Sequence, residues 1–220
     1  MTRGLIFDLD GTLVHSLPAI AASLNRALAG MGMPQHTETA VRGMVGNGLH
    51  ILAARALPPH AGDAMAEAVE AAFKVDYAKT WPDGSTPYPG IPELLQQLQG
   101  RGELLAVLSN KTHSFTAAMV SALFPDISFA AVAGQQSGVP PKPDPTSALA
   151  LAATLGVSPA SCSVIGDSTV DIETAHRAGM CSIAVSWGYH DISTLRAAKP
   201  DEIVNDPGSL AILLSERVCG

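Results

Sequence analysis

The hydrophobic pattern of this chain changes rhythm twice, once after residue 16 and again near residue 90. The run Leu5-Ile6-Phe7 is continuously apolar and reads as a short buried strand. Alanine- and leucine-rich segments follow, and their spacing predicts helices over 17–30, 37–44, 49–56 and 62–79. Gly30-Met31-Gly32 and Gly46-Asn47-Gly48 interrupt them. Thr37 and Glu38 mark a helix start, a capping hydroxyl with an acid in the first turn. The stretch 81–90 is dense in Pro, Gly, Asp and Ser and predicts a return hinge.

Beyond residue 90, amphipathic and apolar segments alternate. Helices are predicted at 91–100, 112–123, 144–155, 170–178 and 208–217, and strands at 104–108, 129–133, 163–165, 182–185 and 203–204. Such alternation implies an α/β fold, a Rossmann-like, doubly wound parallel sheet covered on both faces. Its crossovers are right-handed, and its sites lie at the carboxyl ends of the strands. The expected organisation is a core of 1–15 and 86–220 with an inserted α-helical unit at 16–85, hinged near Ser16 and 83–87.

Composition narrows the function classes. A length of 220 residues and 47% hydrophobic content allow a sizeable core, and 15% charged is low for a disordered chain. Scarce aromatics and abundant alanine suit packed helices. The net charge of −7 excludes a broad electrostatic surface for nucleic acid, so the expected partner is a small molecule. Cys162, Cys181 and Cys219 are odd in number, lack metal-type spacing and read as reduced thiols. With no basic-then-apolar leader and no apolar stretch near the ~20 residues that cross a bilayer, the expectation is a soluble cytoplasmic protein, monomer or homodimer.

The candidate chemistry gathers past the predicted strand ends. Asp8 and Asp10 follow the first strand, and residues i and i+2 of a strand point the same way. Two like charges at one place are costly unless a cation or shared proton compensates, and Gly11 permits a sharp turn just after them. An ordinary Asp-rich turn is the plainer alternative. Ser109, Asn110 and Lys111 follow the strand at 104–108, and Gly166, Asp167, Ser168 and Asp171 follow 163–165. In Pro140-Pro141-Lys142-Pro143 the prolines fix the approach of a single lysine. Carboxylates from separate loops suit Mg²⁺, and a hydroxyl with backbone donors suits an anion, so the set points to phosphoryl transfer.

Four elements in order, Asp8-Leu9-Asp10-Gly11-Thr12, Ser109-Asn110, Lys142-Pro143 and Gly166-Asp167-Ser168-Thr169-Val170-Asp171, resemble those of the haloacid dehalogenase-like hydrolases. The predicted helical insert lies where that superfamily carries its α-helical cap. The resemblance implies that Asp8 is a nucleophile forming an aspartyl-phosphate, and that Asp10 protonates the leaving oxygen and then activates water. It implies Mg²⁺ held by Asp8, Asp167 and the main-chain carbonyl of Asp10. Ser109 and the amide of Asn110 would bind the transferring group, Lys142 would neutralise its charge, and Asp171 would steady Lys142 or the metal's water shell. An acid at Asp10 favours phosphate ester hydrolysis over dehalogenation, because a halide leaves without a proton.

A finer resemblance, to phosphoglycolate phosphatases, rests on Leu17-Pro18-Ala19-Ile20, Val41-Arg42-Gly43-Met44-Val45-Gly46-Asn47-Gly48, Ser109-Asn110-Lys111 and Trp187-Gly188-Tyr189. It implies 2-phosphoglycolate as substrate. Arg42 offers a planar fork for the substrate carboxylate or is a solvated helix residue, and Lys111 faces the cleft or is an exposed lysine. His15 stands where many relatives carry an acid, and the loop Gly134-Gln135-Gln136-Ser137 lacks a Gly-Asp pair common in these phosphatases. The other histidines form no metal-ligand group, and Trp81 and Trp187 read as packing residues. The alternatives are a phosphomutase of the β-phosphoglucomutase kind, a pyrophosphatase, and a non-catalytic phosphate-binding module.

Overall fold

The computed structural model describes residues 3–216. In chain order its elements are β1 (Gly4–Phe7), β2 (Val14–His15), α1 (Leu17–Gly30), α2 (Glu38–Arg42), α3 (Leu49–Arg55), α4 (Asp63–Thr80), β3 (Thr86–Pro87) and α5 (Ile91–Gly100). There follow β4 (Leu104–Thr112), α6 (His113–Leu123), β5 (Ala131–Gln135), α7 (Thr146–Leu155), β6 (Cys162–Gly166), α8 (Thr169–Ala178), β7 (Cys181–Val185), α9 (Ile192–Ala197), β8 (Glu202–Val204) and α10 (Pro207–Ser215).

Leu5, Ile6 and Phe7 are fully buried because β1 lies inside the sheet, with helices on both faces. The six strands run β5-β4-β1-β6-β7-β8, and every pairing is parallel. This is the Rossmann-like sheet that the alternation predicts. Phe7, the last residue of β1, stands opposite both Val107 of β4 and Ile165 of β6, so the positions that follow in these three adjacent strands lie at one level. The residues just past that level therefore meet at one edge, where α/β sheets place their sites.

Several boundaries differ from the sequence pattern. β4 continues to Thr112 through an irregular register after Leu108, so Ser109, Asn110 and Lys111 lie on a bulged strand rather than beyond its end. The second predicted helix is shorter because Gly43 closes it, and α9 has no predicted counterpart. Position 217 of the last predicted helix lies outside the described residues.

The helices between β2 and β3 pack on one another, α4 against both α1 and α3. Leu24, Leu28, Val69, Phe73 and Tyr77 are buried among them, in a cluster continuous with one face of the sheet. Where hinges are expected, Val14 pairs with Pro87 and His15 with Thr86 in a two-stranded antiparallel ribbon. The two connections to the helical segment thus run side by side. No helix among the described residues is long and apolar enough to cross a membrane. Cys162 is a buried free thiol, but Cys181 takes part in a disulfide, which corrects the expectation of reduced thiols at that position. Cys219 lies outside the described residues.

Candidate active site

The amide of Asp8 extends the parallel ladder by donating to the Ile165 carbonyl at 2.9 Å, which fixes the carboxylate at the strand end. Lys142 enters from the loop before α7, where its peptide bond to Pro143 is cis, and all three of its ammonium donors are engaged. They reach Asp8 Oδ1 at 2.8 Å, the Leu108 carbonyl at 2.9 Å and Asp171 Oδ1 at 2.6 Å. Asp171 is fixed by its helix: Ser168 caps α8, and the Ser168 hydroxyl and amide both donate to Asp171 Oδ2. Burial alone would lower the Lys142 pKa, but the charges of Asp171 and Asp8 outweigh it and hold the ammonium protonated.

Asp167 completes a carboxylate group. One oxygen from each of Asp8, Asp167 and Asp171 lies within 4.8 Å of the others, and all three residues are buried. Tyr189 donates its amide to Asp167 Oδ2 at 2.6 Å, and the Thr12 hydroxyl reaches Oδ1 at 3.3 Å. Burial raises the pKa of Asp167 well above its ordinary value, and the neighbouring Asp8 and Asp171 charges add to this. Asp8 rises to about 6, through burial first, against the lowering effect of Lys142. Three buried acids and one lysine leave negative charge uncompensated, and an all-oxygen donor set fits a hard divalent cation. The carboxylate of Asp10 is outside this group.

Asp167 sits in a tight backbone cradle. A Cβ on Gly188 would lie 2.2 Å from Asp167 Cβ, and one on Gly11, where φ is +89°, would lie 2.3 Å from Oδ2. Gly188→Ala is therefore expected to displace Asp167 and weaken divalent-cation binding by about 10- to 100-fold, measured by calorimetric titration of the folded variant.

Asn110 has a role that the sequence does not disclose. Its side chain accepts the Lys142 amide at 2.8 Å, donates to the Lys142 carbonyl at 2.9 Å and donates to the Gly46 carbonyl at 3.0 Å. It thereby ties the bulged end of β4 to the lysine loop and to the helical segment. Ser109 is buried nearby, and its Oγ accepts the Lys111 amide at 3.3 Å. Asp10 is bonded by the Ser16 hydroxyl and by Lys111 Nζ, at 3.2 Å to Oδ1 and 3.0 Å to Oδ2. Tyr189 Oη lies 3.2 Å from the same Ser16 hydroxyl.

These groups open onto a cleft of about 70 Å³ between the strand ends and the helical segment. Asp8, Asp10, Ser109, Asn110, Lys111, Lys142 and Asp167 all line it, with Ile20, Leu52, Phe73, Tyr77 and Phe115 forming an apolar wall. Lys111 thus faces the cleft. Arg42 stands apart, lining a neighbouring cleft with His15, Tyr88 and Trp187. Its Nε donates to the Tyr189 carbonyl at 2.6 Å, and a terminal nitrogen lies 3.4 Å from Asp191 Oδ1. Tyr77, Tyr189 and His190 also line the main cleft, although none of them is among the site residues expected from the sequence. Each lies far in sequence from the four motifs, and only the Trp-Gly-Tyr resemblance pointed near two of them.

Comparison with known proteins gives the same picture. A phosphoglycolate phosphatase of Rhodospirillum rubrum is 37% identical over 196 residues, spanning 86% of this chain and 81% of the relative. One of Pectobacterium atrosepticum is 32% identical, spanning 92% and 88%. A crystal structure from Haemophilus somnus, described as a predicted phosphoglycolate phosphatase, superposes with a TM-score of 0.90 at 31% identity, over 97% of this chain and 98% of that one. Residues 5–185 match the haloacid dehalogenase-like hydrolase family, and the chain belongs to it.

Proposed function

We propose that the protein is a Mg²⁺-dependent phosphatase for small phosphate monoesters, that 2-phosphoglycolate is its substrate, and that residues 16–85 act as a cap over the core. One observation carries the chemistry: Asp8, just past the end of β1, is bonded by the Lys142 ammonium and has a carboxylate oxygen of Asp167 within 4.8 Å of its own. Asp8 attacks phosphorus as the ester P–O bond breaks, and Asp10 delivers a proton to the departing oxygen. Asp10 then takes a proton from the water that attacks phosphorus, releasing phosphate and regenerating Asp8. Asp8, Asp167 and the main-chain carbonyl of Asp10 would hold Mg²⁺, which when bound polarises the phosphoryl oxygens. Lys142 balances the charge of the transferring group. Ser109 contributes a hydroxyl, and Asn110 contributes its main-chain amide, since its side chain is engaged with the lysine loop.

The substrate reading is supported by the names of the relatives and by the small cleft, well below the roughly 300–1,000 Å³ of sites for drug-sized ligands. The test is kcat/KM for phosphate release across phosphoglycolate, sugar phosphates, nucleotides and pyrophosphate. Phosphoglycolate is expected to lead, and activity is expected to fall at least about 100-fold on chelation and return with Mg²⁺. Preference for another member of the panel would overturn the substrate assignment, and full activity in chelator would overturn the metal.

A further inference from the structure

We propose that Lys111 and Tyr77 form the subsite that selects the leaving group, and that it takes a carboxylate one carbon removed from the ester oxygen. This rests on the phosphatase reading above. The lysines lining the cleft are Lys111 and Lys142, and Lys142 has no donor to give, being bonded to Asp8, Leu108 and Asp171. Arg42 is turned into the neighbouring cleft and held by the Tyr189 carbonyl. The cation available to a leaving group is therefore Lys111.

Its surroundings fit that task. Only 8% of the Lys111 side chain is exposed, and it lies beside an apolar wall that includes Phe73 and Phe115. Its Nζ lies 2.9 Å from the Tyr77 hydroxyl and 4.6 Å over the Tyr77 ring, so a residue of α4 orients it. Its remaining contact is with Asp10. To serve the ester oxygen, Asp10 must turn a carboxyl oxygen toward it and give up part of its contact with Lys111. A buried ammonium left short of an acceptor is costly, and a substrate carboxylate restores the pairing.

Spacing narrows the class. In a 2-phosphooxy acid the carboxyl carbon is two bonds from the ester oxygen, so a carboxylate oxygen lies about 3 Å from it. Lys111 Nζ stands 3.0 Å from Asp10 Oδ2, one hydrogen bond from the group that meets the ester oxygen. A longer acid would carry its charge past Nζ and into the apolar wall. The selected class is accordingly the short 2-phosphooxy carboxylates, and the Tyr77 hydroxyl, which donates to Met119 Sδ at 3.8 Å and accepts from Lys111, holds the ammonium in place for that carboxylate.

The test is the ratio of kcat/KM for 2-phosphoglycolate to that for 2-hydroxyethyl phosphate, which replaces the carboxylate by a neutral alcohol. The wild-type ratio is expected on the order of 10² or more. Lys111→Met slows both substrates by removing a partner of Asp10, but its ratio is expected to fall at least about 30-fold. Tyr77→Phe keeps the ring over the lysine, and its ratio is expected to fall about 3- to 10-fold. A wild-type preference that persists unchanged in both variants would overturn the subsite while sparing the substrate reading. A wild-type ratio near one would overturn that reading and the subsite with it.

Discussion

Asparagine at position 8 is expected to lower phosphate release at least about 10³-fold while leaving the fold intact. The amide is nearly isosteric but lacks a carboxylate lone pair to attack phosphorus. Lys142 retains Asp171 and the Leu108 carbonyl as partners, so the loop stays in place. Stability should move the other way. Burial raises the Asp8 pKa to about 6, against an ordinary value of 3.8. A carboxyl group with a raised folded pKa contributes stability below its unfolded value and loses it as pH rises through the folded one. At pH 8 in chelator, ionised Asp8 therefore costs roughly 1–3 kcal/mol, and the amide removes that cost. Asp8→Asn should melt at or above wild type at pH 8, with the difference shrinking toward pH 5. Acid-quenched wild type incubated with labelled substrate should carry protein-bound phosphate, and the variant none. Activity within about tenfold of wild type would reassign the nucleophile.

The parts of this molecule legible in its sequence are those written in contiguous residues. Leu5-Ile6-Phe7 announces a strand buried on both faces, and the helix–strand alternation after residue 90 leaves little choice but a parallel sheet. The meeting of Asp8 and Asp167 follows from β1 and β6 lying side by side with Phe7 opposite Ile165. What stayed hidden is non-local pairing. A ribbon of two residues per strand is too short for periodicity to reveal, so the pairing of Val14–His15 with Thr86–Pro87 had no signal. Tyr77 reads in sequence as one more aromatic on a helix, and only the packing of α4 over the strand ends brings its hydroxyl to Lys111. Asn110 illustrates the limit from the other side. Its motif marks it as important, but its three side-chain bonds to the Lys142 and Gly46 backbones depend on a loop 32 residues away and a turn 64 residues away.

Lys142→Met is expected to be the most damaging single change to stability and activity together. Methionine reproduces the lysine stem as far as Cε but leaves Asp8 and Asp171 facing each other, buried and without their shared cation. Removing one partner from a buried ion pair costs about 3 kcal/mol or more, which in a domain of this size lowers Tm by about 6–12 °C. The loss should depend on pH in a definite direction. Lys142 is among the influences that lower the Asp8 pKa, so its removal raises that pKa further above 6. With Asp8 protonated at pH 5 the facing pair repels little, whereas at pH 8 the fold must bury the Asp8 charge or hold its proton against the solvent. The gap in Tm between wild type and variant should therefore widen from pH 5 to pH 8. A second change, Asp171→Asn, separates stability from chemistry. It keeps an oxygen near Ser168 for the helix cap, removes one of the repelling charges, and is expected to recover about half of the lost stability. Phosphate release should stay at the low level of Lys142→Met, because nothing then balances the charge of the transferring group beside Asp8. A double variant that regained hydrolysis together with its melting temperature would show Lys142 to be a strut for the fold rather than a participant in phosphoryl transfer.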